Sequence, residues 1–376
     1  MSDPPVTMQV DSRHSGQRRP PSRVRRMFVA VVLIVALVAV YLALSPSPID
    51  ALPYDPPPRP AMTGVLAPND KLRAADALAA GHLIGPEDVE PDGKGGVYTG
   101  LEDGRIVRID ASGKVEEFVN TGGRPLGLRF DAQGKLIVAD GVKGLLEIAP
   151  NKEIKVLTTK ANGQPLGFTD DLDVARDGTI YFSDASTKFG VGEYLYDMLE
   201  ARPHGRLVSH DRATGETKIL LDGLYFANGV ALSPEEDFVL VNETYRYRIS
   251  RYWLKGPQAG RSEIWIDNLP GFPDNLSSNG HGKYWVALFT ERNDTLDRLS
   301  PRPRIKNIMA KLPKFLWPAP APYGFVIAVD EQGKIFESLQ DPGGQNLKEI
   351  TSAAERDGYL YLGSLSNDRV GRYRLP

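Results

Sequence analysis

RDGTIYFSD (residues 176–184) decides the fold, because it joins a tight turn to a short strand. An acidic residue and a glycine are typical of the turn, and the residues after them alternate with the two-residue period of a β-strand. A second short strand, GRLVSHD (205–211), follows along the chain. Together the two segments predict part of a sheet built from short antiparallel strands.

This pattern of turn and strand returns along the chain from residue 85 onward. Its other copies begin at PDGKGGVYTG (91–100), DAQGKLIVAD (131–140), PEEDFVLVNE (234–243), GHGKYWVAL (280–288) and RDGYLYLGSL (356–365). A spacing of about 40–60 residues is typical of four-stranded propeller blades. We therefore predict an all-β fold, a six-bladed β-propeller, rather than an open β-sandwich, which would not explain the repeat. The last unit lacks an outer strand, and we expect the segment 76–84 to supply it.

The composition excludes several chemistries. The chain of 376 residues is 41% hydrophobic and 25% charged, as expected of a globular protein, and it contains no cysteine. Thiol nucleophiles, disulfides, thiolate zinc sites and iron–sulfur clusters are therefore excluded. The sequence also has no serine-hydrolase elbow, no HExxH zinc motif, no Walker loop and no dinucleotide-binding fingerprint.

The N-terminal part predicts membrane anchoring. Residues 1–26 carry six arginines and two aspartates, a formal charge of 6 − 2 = +4, and form a basic tail. Residues 27–44 are an unbroken apolar run that spans roughly 27 Å as a helix, close to the thickness of a bilayer core. We predict a transmembrane helix that acts as a signal anchor; a cleaved signal peptide is the alternative. The positive-inside rule places the N-terminus in the cytoplasm and the propeller in the periplasm or another extracytoplasmic space.

The rest of the chain then divides simply. Residues 45–68 contain eight prolines and are predicted to be a stiff, extended linker, and residues 69–376 form the propeller. Outside the tail the net charge is −3 − 4, or about −7, with no basic block that would suggest nucleic acid.

Two insertions, 189–201 and 290–322, have partly helical spacing. We expect both to pack on a face of the propeller; a substrate lid or a membrane-touching surface is the alternative.

Polar residues precede the inner strand in four of the six blades. In a propeller these strands begin beside the central channel, so residues ahead of them converge in space. The sequence places oxygen-bearing side chains there: Glu87 and Asp88, Asp170 and Asp171, Asn228, and Asp274 with Asn275. Carboxylates crowded into one channel repel each other unless a cation neutralises them, and hard oxygen donors suit calcium. Each residue alone is also compatible with an ordinary turn.

Several longer motifs resemble a known family. GPEDVE, FTDDLDVARDGTIYFSDAS, FANGVALSPEEDFVLV and LPGFPDN resemble the strictosidine-synthase-like and adipocyte plasma membrane-associated protein family of calcium-dependent propellers, which is related to gluconolactonase and paraoxonase. The similarity covers residues 82–376, nearly all of the propeller. It implies a six-bladed propeller with one Ca²⁺ in the central channel that binds a substrate oxygen.

The resemblance also implies roles for individual residues. The calcium ligands fall on Glu87, Asp170, Asn228, Asp274 and, as in paraoxonases, Asn275. Most relatives have asparagine where this chain has Asp170. A second, structural calcium would use Asp88 and Asp171.

Two expected catalytic positions depart from the family. The catalytic histidine of paraoxonases falls on Leu126, and the catalytic glutamate of strictosidine synthases falls near Thr351. The resemblance therefore favours a calcium-dependent hydrolase of small esters or lactones, of the arylesterase or lactonase type, with Asp274 as general base or nucleophile. The alternatives are a membrane-anchored propeller that only binds a ligand or a protein, and an amine–aldehyde condensing enzyme.

Overall fold

The computed structural model of the protein describes residues 23–376. The chain divides into two compact units between Pro46 and Ser47. The described part of the first unit is helix α1 (Arg23–Leu44), which is long and apolar enough to cross a membrane. Most of the predicted basic tail, residues 1–26, lies outside the described residues, and the predicted span 27–44 lies within α1.

The second unit is a ring of six four-stranded antiparallel sheets, as the sequence repeat predicts. Strand β1 (Asp76–Leu78) comes first in the chain and belongs to the last blade. The first blade contains β2 (Val89–Pro91), β3 (Val97–Gly100), β4 (Arg105–Ile109) and β5 (Val115–Asn120). The second contains β6 (Pro125–Phe130), β7 (Leu136–Asp140), β8 (Gly144–Ile148) and β9 (Ile154–Thr158). A small hairpin of β10 (Lys160–Ala161) and β11 (Gln164–Pro165) follows.

The remaining blades repeat the arrangement. The third contains β12 (Thr169–Val174), β13 (Ile180–Asp184), β14 (Gly205–His210) and β15 (Thr217–Leu224). The fourth contains β16 (Ala227–Leu232), β17 (Phe238–Glu243), β18 (Arg248–Trp253) and β19 (Ser262–Ile266). The fifth contains β20 (Gly271–Ser278), β21 (Lys283–Glu291), β22 (Gly324–Asp330) and β23 (Ile335–Asp341). The last contains β24 (Ile350–Arg356), β25 (Tyr359–Ser364) and β26 (Val370–Arg374).

The repeated turns work as their sequences predict. In the turn between β6 and β7, Asp131 Oδ1 accepts hydrogen bonds from the backbone N–H groups of Gln133 and Lys135 at 2.9 and 2.8 Å. Gly134 supplies the left-handed conformation that the turn requires, with φ +74°. The aspartate-to-glycine spacing therefore stabilises each turn locally, and the alternating apolar residues bury both faces of the strands that follow.

Strand β1 closes the ring, as expected from the sequence. It pairs antiparallel with β26, and Asp76 lies opposite Arg372. Their side chains form an ion pair with an Nη2–Oδ2 distance of 2.8 Å. The core lies between neighbouring blades, where Phe238 and Leu240 of the fourth blade pack with Val286 of the fifth. Each fully buried apolar side chain of this kind stabilises the fold by roughly 1.5–3 kcal/mol.

Both insertions lie on one face of the ring, which we call the site face because the innermost strands begin there. Each insertion connects the second and third strands of its blade, a connection that must lie on this face. The first contains α2 (Tyr194–Glu200), and the second contains α3 (Asp294–Leu299) and α4 (Pro303–Met309). Single turns of 3₁₀-helix occur at Gly64–Leu66, Lys71–Ala74, Val191–Glu193, Thr244–Arg246 and Lys314–Leu316. The connections that hold the predicted insertions, residues 185–204 and 292–323, together form the cap.

The proline-rich segment, predicted to be a stiff, extended linker, is bonded to the cap over part of its length. Residues 47–59, which we call the strap, are extended but are bonded to the cap. The Leu52 N–H donates to the Glu200 carbonyl at 2.8 Å, and Lys306 Nζ donates to the Leu52 carbonyl at 2.5 Å. The Arg246 guanidinium lies 3.8 Å from the centre of the Tyr54 ring. Composition predicts an extended chain, but it does not show which carbonyl groups find partners.

Candidate active site at the channel mouth

The predicted site residues lie at irregularities of the innermost strands. Strands β6, β12, β16, β20 and β24 each shift register against the next strand near the site face. The shifted positions include Leu126, Asp170, Asn228, Asp274 and Thr351. Such bulges release residues from the ladder and redirect their side chains. The polar residues thus lie within the strands, except Glu87, and not ahead of them as the sequence suggested.

The five predicted ligands are buried together at the mouth of the channel. Glu87, Asp170, Asn228, Asp274 and Asn275 are all nine-tenths or more buried. Asn275 Nδ2 donates to Glu87 Oε1 at 3.2 Å, although 188 positions separate the two residues. A side-chain hydrogen bond joins Asn228 to Asp274. The structure therefore brings together residues from four blades, as their equivalent placement in the repeat predicts.

A glycine permits the contact between the fourth and fifth blades. A Cβ atom on Gly229 would lie 2.4 Å from the backbone nitrogen of Leu276 and 2.6 Å from the carbonyl oxygen of Asp274. Both distances are far below van der Waals contact, and both atoms belong to backbone that has no room to move. Only glycine lets β16 and β20 approach closely enough to place Asn228 beside Asp274.

Burial makes ionisation of the three carboxylates unfavourable. Desolvation raises the pKa of Asp274 to about 8, against the opposing effect of its hydrogen bond from Asn228. Burial, followed by the charges of Asp274 and Asp170, raises the pKa of Glu87 well above its ordinary range. The pKa of Asp170 is raised well above its ordinary range in the same way, by burial and by Asp274. A cation that all three share would remove this cost.

Arg124 is a site residue that the sequence analysis missed. It is buried, lines the same cavity, and donates from Nη2 to the Gly85 carbonyl at 3.2 Å. Its charge and those of Glu87, Asp170 and Asp274 sum to +1 − 3 = −2. One divalent cation would balance this charge. The sequence signal was its position directly ahead of β6, two residues before Leu126, which is the position equivalent to Asp170 and Asn228.

Free oxygen atoms test whether the residues fit a metal ion. Within the described structure, Glu87 Oε2, Asn228 Oδ1 and Asn275 Oδ1 are buried and have no hydrogen-bond partner. Buried polar atoms in proteins are rarely left unsatisfied, and oxygen ligands of this kind suit Ca²⁺. Across residues 23–376 no group of three His, Cys, Asp or Glu side chains is close enough to hold a metal by itself. The donor set fits Ca²⁺ only when the two asparagine amides are included.

A second acidic layer lies deeper in the channel and has protein partners of its own. The two carboxylate oxygens of Asp88 accept the backbone N–H groups of Val89 and Leu128, each at 2.8 Å. Asp171 Oδ2 accepts the N–H of Val230 at 2.8 Å in the same way. Arg129 lies 3.9 Å from Asp88 Oδ2. The bonds from Leu128 and Val230 join neighbouring blades, whereas Asp171 Oδ1 is buried and, within the described structure, has no hydrogen-bond partner. A second calcium at Asp88 and Asp171 therefore stays a prediction.

Above the carboxylates the site opens into an apolar cavity of about 370 Å³. Its walls include Leu126, Phe168, Tyr194, Phe226, Phe289 and Trp317. Both insertions of the cap contribute to these walls, which confirms that they pack on the propeller face. Phe226 has a left-handed backbone with φ +57°, a strained conformation that is often kept at functional sites.

Comparisons with known proteins show the family of this chain. The family model described as strictosidine synthase matches residues 170–257, and the model of the N-terminal part of strictosidine synthase-like proteins matches residues 64–109. The adipocyte plasma membrane-associated protein of Mus musculus is 40% identical, over 94% of this chain and 90% of its own length. The chain belongs to the adipocyte plasma membrane-associated protein family. A strictosidine synthase-like protein of Arabidopsis thaliana is 39% identical, over 81% of this chain and 82% of its own.

Solved structures share the fold of this family member at low sequence identity. A gluconolactonase from Xanthomonas campestris has a TM-score of 0.60 at 16% identity, over 89% of this chain and 99% of its own. The calcium-binding protein regucalcin from Agrobacterium tumefaciens has a TM-score of 0.56 at 14% identity, over 79% of this chain and 92% of its own. These likenesses confirm the six-bladed propeller predicted from the repeat.

The two departures from the resembled families appear clearly in this member of the adipocyte plasma membrane-associated protein family. Leu126 packs with Phe168 and Phe226 and forms apolar wall where paraoxonases have a histidine. Thr351 Oγ1 donates to the Glu87 carbonyl at 2.6 Å and carries no charge. Among the described residues, no histidine lines the cavity, and His14 lies outside them. At these two positions the described structure therefore has an apolar side chain and a neutral hydroxyl group.

Proposed function

We propose that the protein is a membrane-anchored, calcium-dependent hydrolase of apolar esters or lactones. The observation that carries the proposal is the cluster of buried oxygen donors, with a formal charge of −2, on the floor of an apolar cavity. Such a floor suits a divalent cation, and such walls suit the apolar part of a substrate. The gluconolactonase and regucalcin among the structural neighbours support a hydrolase and calcium, respectively.

Glu87, Asp170, Asn228, Asp274 and Asn275 would hold the ion. When bound, Ca²⁺ supplies a positive charge that polarises a substrate carbonyl oxygen. Asp274 is our candidate for the residue that accepts a proton from the attacking water, because its carboxylate lines the cavity floor. The hydrogen bond from Asn228 holds that carboxylate in place.

Arg124 has a separate role in this proposal. Its Nη1 atom is buried and, in the described structure, has no hydrogen-bond partner. A substrate oxygen that enters the cavity would supply one, and the bond would orient the ester or lactone group above the floor. Arg124 would thus position the substrate without taking part in proton transfer.

The walls favour apolar substrates over sugar lactones. A sugar lactone carries several hydroxyl groups that need hydrogen-bond partners, and a wall of leucine and aromatic side chains leaves them unsatisfied. An aryl ester or an alkyl-substituted lactone would bury apolar surface against the same wall at roughly 25 cal/mol per Å². We therefore expect turnover to increase with the size of the apolar group until the cavity is full.

The other reaction considered from the sequence fits the structure less well. A condensing enzyme of the strictosidine synthase type would need a carboxylate at the position of Thr351. The nearest glutamate along β24, Glu355, is instead paired with Lys283 at 2.8 Å and accepts a hydrogen bond from Trp285 Nε1 at 2.6 Å. It is therefore already bonded away from the cavity, which it does not line.

Membrane anchoring through α1 completes the proposal. We place the N-terminus in the cytoplasm and the propeller on the opposite side, on the basis of the arginines that precede the apolar run. The membrane-associated relatives support a membrane location. Cleavage by a protease added to intact cells or inverted vesicles would establish the orientation.

The test is turnover of phenyl acetate and of alkyl-substituted lactones by the pure full-length protein in detergent. We expect activity that EDTA abolishes, that added Ca²⁺ restores, and that Asp274→Ala removes. Glu235→Ala, which alters an exposed carboxylate in a turn on the opposite face, is the matched control and should be fully active. Substrate turnover that is unchanged both by EDTA and by the Asp274→Ala substitution would refute the proposal. Calcium binding without turnover of any ester or lactone would instead favour a binding protein.

A further inference from the structure

The exposed apolar side chains of the propeller unit are unevenly distributed. Six large ones lie on the site face: Ile84, Val142, Ile305, Ile308, Leu316 and Phe315, the last of which also lines the cavity. The others belong to outermost strands, to a short helical turn beside them, or to the strap. In the described structure, the turns of the opposite face expose no large apolar side chain. An apolar face opposed to a polar one is typical of proteins that contact a partner or a membrane.

The cap combines this apolar surface with positive charge. Phe315 is 83% exposed and Leu316 is 58% exposed, so two neighbouring large apolar side chains are in contact with solvent. Arg302, Arg304 and Lys314 are exposed in the same segment, and no acidic residue lies between Asp297 and Asp330. Aromatic and aliphatic residues flanked by arginine and lysine are typical of surfaces that lie in the interface of a phospholipid bilayer.

The chain itself limits how far this surface can lie from a membrane. Helix α1 ends at Leu44, and the strap begins at Ser47. Three peptide steps span at most about 11 Å, whatever the orientation of the two units. The strap is bonded to the cap, through Leu52 and Lys306 among others, so it cannot act as a long spacer. If α1 is anchored as proposed above, the cap must remain near the bilayer surface.

We propose that the cap and the rim of the site face rest on the phospholipid bilayer that holds α1, with Phe315 and Leu316 inserted among the lipids. The cavity then opens toward the lipid. Phe315 belongs both to the exposed surface and to the cavity wall, and Trp317 continues the wall inward. An apolar ester or lactone dissolved in the membrane reaches the carboxylate floor along this wall without first entering water.

The absence of cysteine makes a direct test simple, because one introduced cysteine can be labelled alone. The full-length protein carrying Phe315→Cys is spin-labelled and inserted into nanodiscs that contain phosphatidylglycerol and phosphatidylcholine. The matched control is Phe336→Cys, which replaces a 46% exposed phenylalanine on the outermost strand β23. Accessibility of each label to oxygen, which concentrates in lipid, is compared with accessibility to a water-soluble nickel complex.

We expect the oxygen-to-nickel ratio at position 315 to exceed that at position 336 several-fold, and the same excess at Leu316→Cys. Equal, water-like ratios at all three positions would overturn the inference. The measurement needs no turnover, so failure of the hydrolase proposal would leave its result interpretable. Failure of α1 to anchor would show separately, because the protein would not remain with the discs.

Discussion

Replacing Asp274 by asparagine should stabilise the metal-free protein while removing its response to calcium. Burial raises the pKa of Asp274 from 3.8 to about 8. Because the folded-state pKa is the higher one, the folded protein binds the proton more tightly, and stability falls as pH rises from about 4 to 8. At pH 7 this costs the folded wild type about 4 kcal/mol, and at pH 5 about 2 kcal/mol. An asparagine side chain has a similar shape and cannot ionise.

In EDTA, Asp274→Asn should therefore have a higher free energy of unfolding, measured with urea, than the wild type. This difference should be about 2–3 kcal/mol larger at pH 7 than at pH 5. With Ca²⁺ at 100 times its dissociation constant, the wild type should gain about 2.7 kcal/mol and the variant almost nothing.

The control for this experiment is Glu235→Gln, in an exposed turn of the opposite face, which should change neither quantity. A stability difference between Asp274→Asn and wild type that is the same at both pH values would refute the argument from burial. An equal calcium response in the two proteins would refute the assignment of Asp274 as a ligand.

Three further predictions concern the architecture around the site. Arg129→Met leaves three neighbouring carboxylates without their cation and should lower the unfolding free energy by about 3–5 kcal/mol at pH 8. The loss of unfolding free energy should be smaller at pH 5, because Glu90 is then protonated: burial already raises its pKa to about 7. Equal losses at both pH values, measured by urea titration, would contradict this. Gly229→Ala should separate two blades and abolish the calcium-induced rise in melting temperature. The control is Gly190→Ala, which should keep this rise because Gly190 has open space around it. A normal calcium response of Gly229→Ala would show that the blades can shift to accommodate the methyl group. Arg246→Ala removes a guanidinium stacked between two tyrosine rings and should speed limited proteolysis within the strap, with unchanged cleavage arguing that the backbone bonds suffice.

The sequence predicted most of the fold because the determinants of the fold are local. A turn such as the one at Asp131 stabilises itself with bonds between residues two and four positions apart, so its presence can be read without knowing the rest of the structure. The repeat then placed Asp170 and Asn228 at equivalent points of their blades. Equivalent residues of different blades lie around the same central channel, so their side chains are expected to meet. Convergence was therefore predictable even for residues as distant as Glu87 and Asn275.

Other features depend on contacts that sequence patterns do not record. The release of Asp274 from the ladder by a bulge depends on how two strands match in register. The place of Arg124 in the cavity depends on the path of a loop. The strap has the composition of a linker, and only the positions of Glu200 and Lys306 in the folded cap show what it is bonded to. Such features are set by packing among distant segments, which local propensity does not encode.

The closure of the ring has a consequence for biosynthesis. Asp76 and its partner Arg372 are 296 positions apart, so β1, the first strand of the described propeller, is completed by its last strand, β26. Contacts between such distant segments slow folding and leave strand edges exposed meanwhile. The ring therefore stays open until β26 is available, and a chain cut before Val370 should be aggregation-prone although all of its candidate calcium ligands are present.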